Sequence, residues 1–68
     1  MTEFKLEKEY IELFKLLKYL GVSESGGAAK GAIDEGLVKV DGKVELRRRC
    51  KIRLGQTVEC NDQSIKVI

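Results

Sequence analysis

The chain has 68 residues, of which 35% are charged and 43% hydrophobic, and its formal net charge is +2 at pH 7. This balance is typical of a globular protein and excludes a disordered chain. We expect one domain over residues 1–68, whose small core buries about 60% of the surface that the unfolded chain exposes. No run approaches the roughly 18 apolar residues of a membrane span, and the charged start lacks the apolar core of a signal peptide. We therefore expect a cytoplasmic protein with no membrane partner.

The first elements in chain order are a short strand and an amphipathic helix. Phe4 and Leu6 alternate with charged residues, and this period of two predicts a strand. From residue 9 to residue 20, apolar side chains recur at helical spacing, which predicts a helix with Tyr10 and Phe14 on its packed face. Gly21 follows the last apolar residue, as is common where a helix ends.

A second helix is predicted from Ser25 to Glu35. The Ser25 hydroxyl can accept a hydrogen bond from a backbone N–H of the first turn, which makes it the N-cap. Gly36 follows the helix and stops it. Several glycines within this helix weaken its propensity, so we expect small residues packed against the first helix to hold it.

The second half of the chain predicts antiparallel strands. Asp41-Gly42 lies between two alternating runs and predicts a hairpin. A second hairpin turns at Asn61-Asp62, and Gly55-Gln56 turns the chain before it. The order of elements predicts an α+β fold, in which a helix pair packs on a small, mostly antiparallel sheet with an added N-terminal strand.

The charge is unevenly distributed along the chain. The residues up to Gly36 include five lysines and seven acids, whereas those from Leu37 onward include eight basic residues and four acids. The first half therefore carries −2 and the second half +4. A basic half of this kind favours a polyanion as partner.

Much of the positive charge lies in the run RRRCKIR, residues 47–53. If Cys50, Ile52 and Leu54 face the core, the residues of opposite parity project outward together, and these are Arg47, Arg49, Lys51 and Arg53. Arg48 falls on the core-facing side of this alternation, so its charged end must reach solvent at the edge of the strand. Three lysines could share the basic side, namely Lys30, Lys39 and Lys43. The surface is either a phosphate-binding face or a solvated strand face kept basic against edge-to-edge aggregation.

Ser25 suggests a second anion-binding element, because the N-terminus of a helix attracts anions. Its alternative role is simple capping, and the two roles can coexist.

Catalysis and metal binding have little support in the sequence. The chain has two cysteines, Cys50 and Cys60, and no histidine. Both cysteines lie in strand-like patterns and are interpreted as small buried hydrophobic residues, the alternative being a metal or redox role. A nucleophilic cysteine would lack a general base. We predict a protein that is not an enzyme, with no catalytic residue, metal or cofactor.

The segment SESGGAAKGAIDEGLVKVDGKVE, residues 23–45, resembles the αL motif of the S-four RNA-binding domain family. The matching features are the capping Ser25, the basic Lys30, the helix-ending Gly36, and the strand and turn that lead to Lys43. The chain departs from the family at Gly26 and Ala28, where arginine and glutamate are frequent. The N-terminal strand and the arginine run resemble the small, stand-alone, ribosome-associated bacterial members. The resemblance implies a two-helix αL motif and RNA contact through Lys30, Lys43 and the arginine run.

The aromatic residues bear on the kind of nucleic acid. No aromatic residue follows Tyr19, so the sheet offers no platform for stacking single-stranded bases. We therefore expect a monomer that recognises structured or double-helical RNA by phosphate and shape contacts, with ribosomal RNA as one candidate. DNA is disfavoured because the second helix lacks side chains that reach base edges. The alternative is a protein-interaction module with an acidic partner. The candidate RNA-binding residues are Ser25, Lys30, Lys39, Lys43, Arg47, Arg48, Arg49, Lys51 and Arg53.

Overall fold

The computed structural model describes residues 2–68, which form two helices and seven strands. In chain order these are β1 (Thr2–Phe4), β2 (Ile11–Glu12), α1 (Leu13–Tyr19), α2 (Gly26–Asp34), β3 (Val38–Val40), β4 (Lys43–Val44), β5 (Lys51–Ile52), β6 (Thr57–Cys60) and β7 (Gln63–Val67). Within these residues, neither helix is long and apolar enough to cross a membrane.

The strands form one five-stranded sheet and one two-stranded pair. The order of the larger sheet is β1-β7-β6-β3-β4, and β1 is parallel to β7 whereas the other neighbours are antiparallel. The small sheet pairs β2 with β5 in antiparallel register. The predicted α+β class is confirmed, with the N-terminal strand added at one edge of a mostly antiparallel sheet.

The core lies between the helix pair and the larger sheet. Helix α1 contributes three leucines with no exposed surface, and α2 contributes Ala29 and Ile33. The alternation of side chains along a strand brings one face of β3, β6 and β7 into the same core. The fully buried sheet residues are Val38, Val58, Ile65 and Val67.

Helix α1 is shorter than the sequence predicts. Residues 11 and 12 form β2 rather than the first helical turn, because they pair with the distant Lys51–Ile52. The backbone N–H groups of Leu13 and Phe14 then donate to the carbonyls of Cys50 and Arg48, at 2.9 and 3.1 Å. These bonds satisfy two of the N–H groups that a helix start leaves without a partner in the helix. Tyr10 consequently lies outside the helix and is 36% exposed, so the prediction that it packs on the helix face is wrong.

The predicted helix cap and the two predicted hairpin turns are confirmed. The side chain of Ser25 accepts a hydrogen bond from the backbone N–H of Ala28 at 3.1 Å, as expected of the predicted N-cap. Asp41-Gly42 and Asn61-Asp62 all have positive φ angles, between 50° and 83°, which is the conformation of a tight two-residue hairpin turn.

The run at 47–54 does not form the continuous strand that the sequence predicts. Only Lys51–Ile52 is extended and paired, and Leu54 is 69% exposed instead of facing the core. The ladder ends there because Arg53 begins a turn: its carbonyl accepts from the N–H of Gln56 at 3.2 Å, and its N–H donates to the Gln56 side chain at 2.7 Å. Ile52 is fully buried and Cys50 is half-buried, as predicted.

Candidate nucleic-acid interface

Three cationic side chains surround a shallow depression above Cys50. The depression has a volume of about 370 Å³ and is lined by Arg47, Arg49, Lys51 and the cysteine. Its backbone is fixed by a turn, in which the Cys50 N–H donates to the Arg47 carbonyl at 3.2 Å, and by the two hydrogen bonds to the start of α1. Alternate residues therefore do converge, but through a turn followed by a two-residue strand.

Each of the four arginines of the run lies beside a carboxylate. Three of these partners come from the N-terminal half of the chain, and the sequence pattern does not reveal them. The pairs are Arg47–Glu45 at 3.0 Å, Arg48–Asp34 with Nε to Oδ1 at 2.9 Å, Arg49–Glu12 at 3.7 Å, and Arg53–Glu9 at 3.3 Å.

The Glu45 and Asp34 carboxylates are held in the charged form. Hydrogen bonds from the Arg47 side chain, and then from its backbone N–H, lower the pKa of Glu45 to about 2. The hydrogen bond from Arg48 likewise lowers the pKa of Asp34. These carboxylates orient the two guanidinium groups. At least half of each arginine side chain remains exposed, and exposed ion pairs contribute little to stability. A phosphate, which binds the same planar fork, is therefore able to compete for the guanidinium groups.

Two aromatic rings orient further cations. The ammonium group of Lys30 lies 4.9 Å from the centre of the Phe14 ring, and that of Lys15 lies 6.0 Å from it. Lys51 lies 4.9 Å from the centre of the Tyr10 ring, with the Arg53 guanidinium at 5.8 Å. Such contacts fix the position of a cation without neutralising its charge.

Lys15 is a basic residue of this surface that the sequence analysis did not select. It forms an ion pair with Glu12 at 3.0 Å, and Glu12 in turn pairs with Arg49. The spacing of three between Glu12 and Lys15 in a helical pattern was the available signal, but it did not reveal the third member.

Three of the nine candidate residues line the depression, and contacts link Lys30, Arg48 and Arg53 to Phe14 or Tyr10 near the start of α1. We name this set, together with Lys15, the basic face, and its members are Lys15, Lys30, Arg47, Arg48, Arg49, Lys51 and Arg53. Against these seven cations stand four paired carboxylates, which leaves a surplus of three positive charges.

The remaining three candidates do not line the depression. Lys39 projects from the outer side of the sheet, because its neighbours Val38 and Val40 are buried on the helix side. Lys43 lies opposite Val40 on the edge strand. Ser25 caps the far end of α2, about 13 Å along the helix from its C-terminus at Asp34.

The two thiols have no ionised role in this arrangement. Burial raises the pKa of both Cys50 and Cys60. In the part of the chain that the structure describes, no group of three histidine, cysteine or acidic residues could hold a metal ion.

Comparison with known proteins identifies the family. A family model described as the S4 domain matches residues 4–68. The chain is 55% identical, over 69 residues, to the Escherichia coli K12 protein named "Putative RNA-binding protein YbcJ" and to the YbcJ protein of Shigella flexneri. In both cases the alignment covers 100% of the chain and 99% of the relative.

Solved structures agree with this assignment. The solution structure of YbcJ from E. coli, reported to reveal an αL motif involved in RNA binding, is 55% identical, with a TM-score of 0.77, and the match covers 100% of this chain and 87% of that one. The 30S ribosomal protein S4e from Thermoplasma acidophilum is 27% identical, with a TM-score of 0.70, over 85% of this chain and 31% of that one. The predicted αL-type resemblance is thus confirmed, and the chain belongs to the S4 domain family.

Proposed function

We propose that this protein binds structured or double-helical RNA through its basic face and catalyses no reaction. The observation that carries the proposal is the convergence of Arg47, Arg49 and Lys51 on one depression. Arginine forks bind phosphate oxygens bidentately, and a lysine adds a mobile point charge. Paired RNA is recognised mostly by its shape and its phosphates, which are the features that this surface suits.

The relatives support RNA as the partner. The E. coli relative carries RNA binding in its name, and the αL motif of its solution structure is described as involved in RNA binding. The likeness to ribosomal protein S4e makes ribosomal RNA the first candidate to test. We further propose that the chain acts in the cytoplasm as a monomer and as one binding unit.

The arginine–carboxylate pairs favour one alternative, an acidic protein partner. The guanidinium groups already bind carboxylates of this chain, so aspartate and glutamate side chains of another protein could replace them. Affinity purification with and without ribonuclease separates the two functions. Partners that are lost on ribonuclease treatment support RNA, and a protein that stays bound supports the alternative.

A titration with a hairpin RNA at several salt concentrations tests the proposal directly. Each phosphate neutralised by a protein cation releases counterions, so the logarithm of the binding constant should fall linearly with the logarithm of salt. Seven cations on one face allow several such contacts. An affinity that does not change with salt, or no binding to any hairpin, would contradict the proposal.

A further inference from the structure

A cleft next to the basic face has the features of a base-binding site. It lies between the N-terminal segment, residues 3–12, and helix α1, and its volume is about 900 Å³. Ligand pockets for small organic molecules fall in the range of roughly 300–1,000 Å³. Three of the four aromatic residues of the chain line it, and these are Phe4, Tyr10 and Tyr19.

The two tyrosine rings are accessible, whereas Phe4 packs against the core. Tyr19 is 75% exposed, and its ring is held at one end of the cleft by an edge-to-face contact with Phe4, with centroids 5.5 Å apart. Tyr10 is 36% exposed. Exposed aromatic rings of this kind are surfaces on which unpaired RNA bases stack.

The cleft and the basic face meet at Tyr10. Lys51, which lines the depression, also lies over the Tyr10 ring, and Arg53 lies beside it. When these two cations turn towards a phosphate, the ring face that they cover becomes free. A phosphate at the depression therefore places the attached nucleotide beside an aromatic surface.

The charges that line the cleft nearly balance, unlike those of the basic face. The lining of the cleft includes four carboxylates, from Glu3, Glu7, Glu9 and Glu12, and three lysines, namely Lys5, Lys8 and Lys15. Carboxylates accept hydrogen bonds from the amino and imino groups of bases. The surplus of positive charge on the basic face holds the backbone there, while the base enters the cleft.

We infer that this cleft receives an unpaired RNA base next to a paired stem, with Tyr10 as the stacking surface. The inference rests on the proposed function and narrows its ligand to RNA in which a helix is interrupted or ends. The sequence had pointed away from stacking because no aromatic residue follows Tyr19 and because Tyr10 was assigned to a packed helix face.

Three hairpin RNAs with the same stem, each closed by a non-nucleotide linker instead of loop bases, test the inference. The first is fully paired, the second has one unpaired adenosine, and the third has an abasic nucleotide at that position, which keeps the phosphate and removes the base. We expect the wild type to bind the adenosine hairpin about tenfold more tightly than the abasic hairpin, because a gain of this size is typical of one base stacked on an aromatic ring. Tyr10→Leu should abolish the difference and Tyr10→Phe should keep it.

The outcomes separate the inference from the proposed function. If the wild type binds the adenosine and abasic hairpins equally and with a steep salt dependence, base binding in the cleft is contradicted. Phosphate binding at the basic face is then still supported. Equal weakening of all three hairpins by Tyr10→Leu would also contradict base binding in the cleft. No binding to any hairpin would overturn both. Replacing the adenosine by fluorescent 2-aminopurine tests the inference without a variant. Stacking on Tyr10 should quench the fluorescence of 2-aminopurine, and unchanged fluorescence on binding would contradict the inference.

Discussion

Removal of two cations from the depression should weaken RNA binding in a defined, salt-dependent way. Arg49 and Lys51 are suited to this test because neither substitution leaves a carboxylate without an ion-pair partner. Glu12 keeps its ion pair with Lys15 when Arg49 is replaced, and Lys51 contacts the Tyr10 ring rather than a carboxylate. In the double variant Arg49→Gln/Lys51→Gln, two phosphate contacts are lost. The slope of log binding constant against log salt should then fall by about 1.4–1.8.

The magnitude is measurable by fluorescence anisotropy with a labelled hairpin. Between about 50 and about 200 mM salt, the affinity of the wild type should fall roughly tenfold more than that of the variant. The matched control is Lys39→Gln/Lys66→Gln, which removes the same charge from the outer side of the sheet, where Lys39 faces Glu59 and Lys66 faces Glu3 and Thr57. Equal slopes in the two double variants would refute the localisation of binding to the depression.

Three further predictions concern charge, backbone and pH. Asp34→Asn should tighten RNA binding several-fold more than Glu35→Gln in the same titration, because it also frees the arginine that Asp34 pairs; equal effects would show that only net charge matters. Gly31→Ala should raise stability by about 0.5–1 kcal/mol, since its Cβ meets nothing within 4 Å in a helix, whereas Gly36→Ala should lose about 1 kcal/mol at φ +77°, and thermal melting should show opposite shifts. The folded-state pKa of Glu45 is lowered from 4.5 to about 2, so its stabilisation is complete well above pH 4.5 and is lost as pH falls towards 2. The stability advantage of the wild type over Glu45→Gln in urea melts should shrink over that window, and a constant difference would contradict the assignment.

The parts of the fold that could be predicted are those with local causes. A capping hydroxyl at Ser25, a left-handed residue at Gly36 and the turn at Asp41-Gly42 each act within a few residues of chain. The helix pair and the hairpins followed from these signals and from hydrophobic periodicity.

What could not be predicted depends on contacts between distant segments. Residues 11 and 12 have helical spacing, yet they pair with residues 51 and 52, which shortens α1 and releases Tyr10 from the packed face. The same pairing brings Glu12 beside Arg49, and the helix end brings Asp34 beside Arg48. Side-chain parity indicated which cations converge, but it carries no information on carboxylates far along the chain. Parity therefore indicated the convergence of Arg47, Arg49 and Lys51 on the depression, but not the carboxylate that pairs with each arginine of the run.

The most direct test of RNA binding at the basic face uses Cys50, the thiol that lies in the depression. Its alkylation by iodoacetamide at mildly alkaline pH, measured by mass spectrometry, reports access to that spot, and glutathione added to the same reaction serves as the reference thiol. With a saturating hairpin RNA, alkylation of Cys50 should slow markedly while the reference thiol is unchanged. RNA that binds and leaves the Cys50 rate unaltered would contradict the account.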